Sequence, residues 1–488
     1  MPSLGLAMIV KNGAETLQEC IRSVAGVTDQ IVIADTGSSD GTPQLARDLG
    51  AEVFDFSWQD DFAQARNAAI NALATDWVLI MDDDEELDPQ AREKLPHLLN
   101  HATVNNVAVG GYNVTLRNYI PLRFGVGGNA PSFKAVNSTI PRAEGARTYA
   151  DFTICRLFRR HPEIYYVGRV HEIVEPRIRA LGLELPPANF VIHHFGILCS
   201  PGERRVKDEL YRKLGWLKIK DSPNDPQAWV EIGLQEFEQF KNYSAGIECF
   251  TKALALDPNF STVPYLSLAN LYIEIQADTR ALELLSSRTM SGRAAGQKEQ
   301  ICGDALYNLG RLKEARSAYL RALRLLPEDA RIVSKLGLTE VRLGLKKNGL
   351  ARLTRALNAV PDVLEMHDRL IKAYLVMNLM PQAAEAAERL AVQYPNPVTI
   401  LRAASIRAQM KDWKAAEDFV VRGLQAFPQS HDLLQAKSEL EEQNWRSKDS
   451  DGVAPGLNLR YTARHPIPAQ NSAYCTTGLS EETSLSRP

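Results

Sequence analysis

The chain has 488 residues, 45% of them hydrophobic and 24% charged, and a formal net charge of −3. This length asks for two or three domains, and the near-neutral balance without a basic run excludes the electrostatic footprint of a nucleic-acid or anionic-membrane binder. No run of 18 apolar residues reads as a transmembrane helix. Six cysteines (Cys20, Cys155, Cys199, Cys249, Cys302, Cys475) stand apart without a C-x-x-C pair, which reads as reduced, mostly buried thiols and not as a zinc site or disulfide framework. With no basic, cleavable leader at the N-terminus, the expectation is a cytoplasmic protein.

Leu4 to Val10 is an apolar run stopped by Lys11-Asn12-Gly13, after which Leu17, Cys20, Ile21 and Val24 recur at helical spacing. Ile31 to Ala34 reads as a second strand, closed by Asp35-Thr36-Gly37-Ser38-Ser39-Asp40-Gly41. A helix then begins near Asp40, a suitable cap, and carries Leu45 and Leu49 inward. Ala51 to Phe56 gives a third strand, and Asp61 opens a helix with Phe62, Ala65, Ala69 and Leu73 on one face. Trp77 to Met81 is a fourth strand and ends in five acids, Asp82-Asp83-Asp84-Glu85-Glu86.

Four alternations of strand and helix in about 85 residues predict a parallel α/β sheet whose strand ends share one crevice. Asp35 and Asp82 to Asp84 then meet at the same edge. Carboxylates crowded on one turn repel unless a cation joins them. Oxygen ligands of this kind suit Mg²⁺ or Mn²⁺, with substrate phosphates filling the remaining positions. The competing reading is a solvated acidic helix start; Glu85 and Glu86 are assigned to the start of the next helix. Gly37 and Gly41 read as turn residues, since the segment has neither a P-loop lysine nor G-x-G-x-x-G. Asp35, an acid ending a buried strand, is placed to bond a nucleobase or ribose.

Residues 101–150 show no clear period and read as a functional loop, a lid over the binding crevice, with Tyr112, Tyr119 and Phe124 as ligand-stacking faces or as core residues. Ile154 to Phe158 and Tyr165 to Val170 read as strands, the second leading into His171-Glu172. Ile192-His193-His194-Phe195-Gly196 ends another. Adjacent histidines on a strand point to opposite faces, so one of the two is structural.

The segments Met8 to Asn12, Asp35 to Thr42, Asp61-Phe62 with Arg66-Asn67, and Asp82 to Glu85, in that order, resemble the family 2 (GT-A fold) glycosyltransferases. They are closest to the bacterial branch in which the catalytic domain precedes tetratricopeptide repeats. The resemblance spans roughly residues 4 to 215. It implies inverting transfer from a nucleoside-diphosphate sugar with Mn²⁺ or Mg²⁺. By position, Asp35 would contact the base, Asp82 the ribose and metal, and Asp84 the metal. Asn12 would lie on the donor side, Arg66 would steady the leaving diphosphate, and His194 would face the metal or diphosphate. Two departures stand out: Gly13 where the family usually has an acid, and an acid, Asp83, at the middle of the D-x-D. Inversion requires a carboxylate to take the acceptor proton. Glu172, in a Val170-His171-Glu172 motif of the same branch, is the candidate base, with Asp151 in reserve. An ion pair with Arg169 or Arg177 is the competing role for Glu172. His171 would orient it or contact phosphate.

Prolines mark a period in the second half: Pro327, Pro361 and Pro395 are spaced by 34, and Pro428 follows after 33. Ala315, Tyr319, Ala322 return as Gly349, Leu353, Ala356 and again as Ala383, Ala387, Leu390. This pattern resembles the tetratricopeptide repeat, whose stacks present a concave surface to a peptide or protein. The repeat between Pro258 and Gly292 is degraded near Arg288 to Gln300, where a break is expected. The predicted organisation is an α/β GT-A domain (1–200), a connecting helix and linker (201–225), an all-α repeat solenoid (226–445) and a disordered tail (446–488). The leading function is a metal-dependent inverting glycosyltransferase whose repeats position a protein or peptide acceptor, with a saccharide or lipid-linked acceptor open. A non-catalytic repeat adaptor and a nucleotidyltransferase are the alternatives.

Overall fold

A computed structural model describes residues 2–100, 103–104, 106–121, 134–135, 143, 146–196, 201–361 and 363–449. These fall into two compact units, with the boundary between Pro258 and Asn259.

The first unit is built on a mixed sheet. Strands β1 (Leu4–Val10), β2 (Gln30–Asp35), β3 (Glu52–Asp55) and β4 (Trp77–Ile80) alternate with helices α1 (Leu17–Val24), α2 (Thr42–Asp48) and α3 (Phe62–Ala72). They lie in the order β3-β2-β1-β4, all parallel. Every residue of β1 is buried, as expected when helices cover both sheet faces. Leu4, Leu6, Met8 and Val10 pack against Leu17, Cys20, Ile21 and Val24 of α1. Ala7 and Ile9 point the other way, onto Ala65 and Ala69 of α3.

The sheet then continues through β5 (Glu85–Leu87), β8 (Gly111–Pro121), β10 (Ala146–Arg159) and β11 (Pro187–His194), giving the order β3-β2-β1-β4-β10-β8-β11-β5. The short β9 (Lys134–Ala135) pairs with β10, and β6 (Thr103–Val104) with β7 (Val107–Ala108) makes a separate ribbon. Helices α4 (Ala91–Asn100) and α5 (Glu175–Ala180) cover the added half. Four readings change here. Glu85 and Glu86 do not begin a helix; they form β5, antiparallel to His193 and His194 of β11. Tyr165 to Val170 is not a strand, and its only ladder contact is a bridge between Val167 and Ile173. The helix after β2 starts at Thr42, with Gly41 and not Asp40 at its cap position. Much of the aperiodic stretch 101–150 is strand β8 paired with β10; Tyr112 and Tyr119 are fully packed there, stacked on Trp77 and Phe195. Their alternation is masked because both faces of that sheet are covered. Phe124 lies outside the described residues.

The first unit closes with α6 (Pro201–Asp221), the stretch expected as a connecting helix, and the antiparallel pair α7 (Pro226–Glu238) and α8 (Tyr243–Leu256).

The second unit is a run of helix pairs: α9 (Val263–Glu274) with α10 (Asp278–Ser286), α11 (Gly292–Asn308) with α12 (Leu312–Leu325), α13 (Ala330–Arg342) with α14 (Lys346–Ala359), α15 (Leu364–Val376) with α16 (Met380–Gln393), and α17 (Pro397–Gln409) with α18 (Trp413–Ala426), ended by α19 (His431–Asp449). The small residues of the repeat set how closely each pair crosses. A Cβ on Gly349 would stand 2.5 Å from the Gly337 carbonyl oxygen, so a side chain there would force α13 and α14 apart. The break near Arg288 is a short loop between α10 and α11, and Gln300 sits inside an intact helix. Residues 446–449 belong to α19; the remainder of the expected tail lies outside the described residues. Among the described residues no helix is long and apolar enough to cross a membrane.

Candidate active site

The site begins with topology. Parallel strands β2 and β4 flank β1, so their carboxyl ends lie about 10 Å apart, two inter-strand spacings. Asp35 ends β2 and is buried. Its Oδ2 accepts from the backbone N–H groups of Gly37 and Ser38 at 3.1 and 2.9 Å, while Oδ1 is buried with no hydrogen bond. An orphaned buried acceptor costs roughly 1–3 kcal/mol, which a donor from a bound molecule would relieve. Asn12, in a left-handed conformation at φ 56°, faces the same loop, its side-chain oxygen accepting from Ser39 N–H at 2.8 Å.

The acids after β4 have four different environments. Asp82 is gripped on both oxygens, Oδ1 by Arg66 Nη2 at 2.8 Å and Oδ2 by Arg156 Nη2 at 3.2 Å. Burial opposes its charge, but the two guanidinium groups hold its carboxyl well below the usual range. Asp83 accepts from the Thr16 hydroxyl at 2.5 Å. Burial, then the neighbouring Asp84, pushes it up to about 6. Gly13 stands where the family carries an acid because Asp83 fills that space: a Cβ on Gly13 would lie 2.7 Å from Asp83 Oδ2. Glu85 turns inward to the Asp82 N–H at 2.9 Å and to Arg156 at 3.2 Å, and burial raises it to about 8.

Asp84 is the exception. Its Oδ1 is buried and makes no hydrogen bond, and His194 Nε2 faces it at 3.5 Å. The other ring nitrogen, Nδ1, donates to Asn118 Oδ1, so in the neutral imidazole Nε2 carries the lone pair. Lys207 Nζ stands 3.8 Å from Oδ2. A carboxylate oxygen and an imidazole lone pair facing one another, the imidazole fixed by an outer hydrogen bond, form a donor set that fits a divalent cation. Among the described residues no three His, Cys, Asp or Glu side chains are grouped as a ready-made cage. The adjacent His193 points the other way, between Tyr119 Oη at 2.9 Å and Asp88 at 3.1 Å, and burial lowers its pKa.

Arg66 links this cluster to the candidate base. Its Nε donates to Glu172 Oε1 at 2.6 Å while Nη2 holds Asp82, and Nη1 is buried without a partner. Glu172 therefore does form an ion pair, but with Arg66. Arg169 pairs instead with Asp221, and Arg177 with Glu163. His171 stacks on Tyr211 and does not bond Glu172. Asp151 is held by both Nε and Nη2 of Arg117, at 2.8 and 3.1 Å, one strand over. Sequence reasoning missed Arg156, the second cation on Asp82. The signal was a single arginine inside the apolar run Ile154 to Phe158, a charge that is not buried without a partner.

Comparison with known proteins fits this geometry. Residues 6–163 match the model of Glycosyl transferase family 2, and residues 243–343 match a tetratricopeptide repeat-like domain. A TPR repeat-containing protein of Synechococcus elongatus is 29% identical over 240 residues, covering 48% of this chain and 52% of that one. An uncharacterized glycosyltransferase of Rickettsia prowazekii is 31% identical over 98 residues, 20% and 33% of the two chains. The SPbeta prophage-derived glycosyltransferase SunS of Bacillus subtilis is 24% identical over 261 residues, 52% and 53%. The chain thus spans about half or less of the length of these relatives. Its first unit carries a family 2 glycosyltransferase domain on a GT-A sheet, and tetratricopeptide-like repeats follow.

Proposed function

We propose that this protein transfers a sugar, with inversion, from a nucleoside-diphosphate sugar to an acceptor, with Mn²⁺ or Mg²⁺ at Asp84. The observation that carries the reading is the pair of buried, unpartnered carboxylate oxygens, Asp35 Oδ1 and Asp84 Oδ1, at the ends of strands β2 and β4. Asp35 takes a donor from the base or ribose. Asp84 and His194 hold the metal, which when bound neutralises the diphosphate as it leaves. Asp82 keeps the two arginines in place and meets the ribose, and the free Nη1 of Arg66 is directed to a phosphate oxygen. Asn12 orders the loop beside the base.

Glu172 serves as the base. Its Oε1 is fixed by Arg66, and Oε2 makes no hydrogen bond among the described residues, leaving it to take the acceptor proton. Asp151, bound on both oxygens by Arg117, is the weaker candidate. The repeats are assigned to holding a protein or peptide acceptor, the ligand class such stacks accommodate, and the cytoplasm is the proposed compartment. The experiment is a screen of UDP-, GDP- and dTDP-sugars for nucleoside-diphosphate release with and without Mn²⁺. Metal-dependent release from one nucleotide class supports the reading. Binding of none by calorimetry would favour a repeat adaptor, and pyrophosphate release from a nucleoside triphosphate would favour a nucleotidyltransferase.

A further inference from the structure

The turn that carries Glu172 includes residues in left-handed backbone. These are Gly168 and His171, at φ 98° and 52°, and for a non-glycine residue this costs about 1 kcal/mol or more. Such a conformation persists only where its surroundings hold it. Two backbone hydrogen bonds between Val167 and Ile173 close the turn, Arg66 holds Glu172, and Arg169 Nη1 donates to the Asp60 carbonyl at 3.2 Å. Helix α6 adds a further set of contacts. The Tyr211 ring lies parallel to the His171 ring, with centroids 6.0 Å apart and planes 9° from coplanar. The same ring meets Phe62 at 5.7 Å, and Phe62 N–H donates to the Arg169 carbonyl at 2.9 Å. Lys218 Nζ donates to the Val170 carbonyl at 3.3 Å, Asp221 pairs with Arg169, and Lys213 pairs with Asp60 at 2.7 Å.

Lys207, Tyr211 and Lys218 stand at i, i+4 and i+11, one stripe of the helix, and this stripe faces the sheet domain. The adjoining side of the helix faces α7, and Lys218 itself also reaches Glu231 of α7 at 2.7 Å. Arg212 bonds Glu236 through both Nε and Nη2 at 2.7 and 2.9 Å, and Gly215 crosses so close to Ile232 that a Cβ would lie 2.9 Å from its Cδ1. The Arg212–Glu236 pair spans 24 residues. The Arg316–Glu340 pair, which joins the second helix of one repeat to the first helix of the next, also spans 24. By this pattern α6 plays the part of a repeat's second helix, so it is at once the opening helix of the array and a wall of the site. It lies wholly outside residues 6–163, the extent of the family model.

We propose that Tyr211 is a positioning residue, whose ring seats the His171–Glu172 turn, and that the repeat-side helix α6 thereby completes the active site. The catalytic sheet then depends on this helix: a chain ended before α6 loses the contacts of Tyr211, Lys218 and Asp221 to the turn that carries its base. The proposal deepens the proposed function and rests on Glu172 being the base.

The test uses the full chain with Tyr211→Ala, Tyr211→Phe and Glu172→Gln. Hydrogen exchange at residues 169–173 is measured together with nucleoside-diphosphate release from UDP-, GDP- and dTDP-glucose with Mn²⁺. For Tyr211→Ala we expect exchange in that segment to quicken at least tenfold, with the repeats' exchange and melting unchanged. We also expect kcat to fall tenfold or more while KM for the donor stays within twofold. Tyr211→Phe, which keeps the ring, should restore wild-type values in every readout. The proposal is overturned if Tyr211→Ala leaves exchange at 169–173 unchanged, or if Tyr211→Phe loses as much activity as Tyr211→Ala. Exchange needs no donor, so the two readings separate. A mobile turn in Tyr211→Ala with full turnover in Glu172→Gln supports the positioning and removes the base. A rigid turn in Tyr211→Ala with an inactive Glu172→Gln does the reverse.

Discussion

Asp84 Oδ1 and His194 Nε2 face one another at 3.5 Å, and the hydrogen of His194 Nδ1 is committed to Asn118 on the far side of the ring. In the proposed function these two lone-pair atoms share the cation. Asn118 thus acts by fixing which nitrogen is free. Replacing Asn118 with Ala should weaken Mn²⁺-dependent UDP or GDP binding roughly 10–100-fold, the usual effect of losing such an outer partner. Calorimetry on Asn118→Ala checks this, and unaltered affinity would remove His194 from the metal's surroundings.

Arg156 is the neutralising partner of two acids, Asp82 and Glu85, and it is itself buried. Its removal strands the Glu85 carboxyl in the interior. Arg156→Met should therefore destabilise the first unit by about 3–5 kcal/mol. Adding Glu85→Gln should recover part of that loss, because the buried carboxyl that accepted from Arg156 is then replaced by a neutral amide that keeps the acceptor for the Asp82 N–H. Urea unfolding of both single variants and the double variant measures the coupling; strict additivity would show that the two groups do not interact.

The uneven legibility of the site in the sequence has physical reasons. Strands β1, β2 and β4 are readable because each is an apolar run stopped by polar residues; Asp35 closes one of these runs directly, and Asp84 stands in the acidic turn after another. The three residues of β5 are too few to show a period, and acids also favour helix starts, so Glu85 was misassigned. Tyr112 and Tyr119 sit in a strand covered on both faces, where alternation disappears. Arg66 was singled out by its motif, but its bond to Glu172 spans 106 residues and left no local trace. The same holds for Tyr211, whose place in the helical pattern says nothing of the ring it meets.

Gly13 exists to make room for Asp83. In Gly13→Ala the new methyl would stand 2.7 Å from Asp83 Oδ2 and displace the hydroxyl bond from Thr16. A loss of about 1–3 kcal/mol is expected from this overpacking. Asp83→Ala in the same chain should relieve the part due to Asp83 and leave the part due to Val10, whose Cγ2 would stand 2.8 Å from the same methyl. Thermal melting of the single and double variants decides, and equal melting of Gly13→Ala and wild type would contradict the close approach.

Glu236 supplies a pH signature for the α6–α7 contact. It is fully buried, and although burial works against its charge, hydrogen bonds from Arg212, Trp216 and Asn242 lower its pKa. The sign follows: a carboxyl depressed in the folded state adds stability above its unfolded value, near 4.3, and loses it as pH falls through the folded value. Glu236→Gln should cost roughly 2 kcal/mol at pH 7, and the gap to wild type should narrow below pH 4. A gap that stays constant from pH 7 to pH 3 would show that the charge is not what stabilises the contact.

The central claim, a nucleotide-sugar site organised by a metal at Asp84, is tested most directly by calorimetric titration of UDP, GDP and dTDP. Wild type and Asp84→Asn are compared, each with Mn²⁺ and with EDTA. The account expects one nucleotide to bind wild type only with Mn²⁺, and expects Asp84→Asn to lose that binding 100-fold or more while melting at the wild-type temperature. Equal binding in EDTA, or binding untouched by Asp84→Asn, would contradict it.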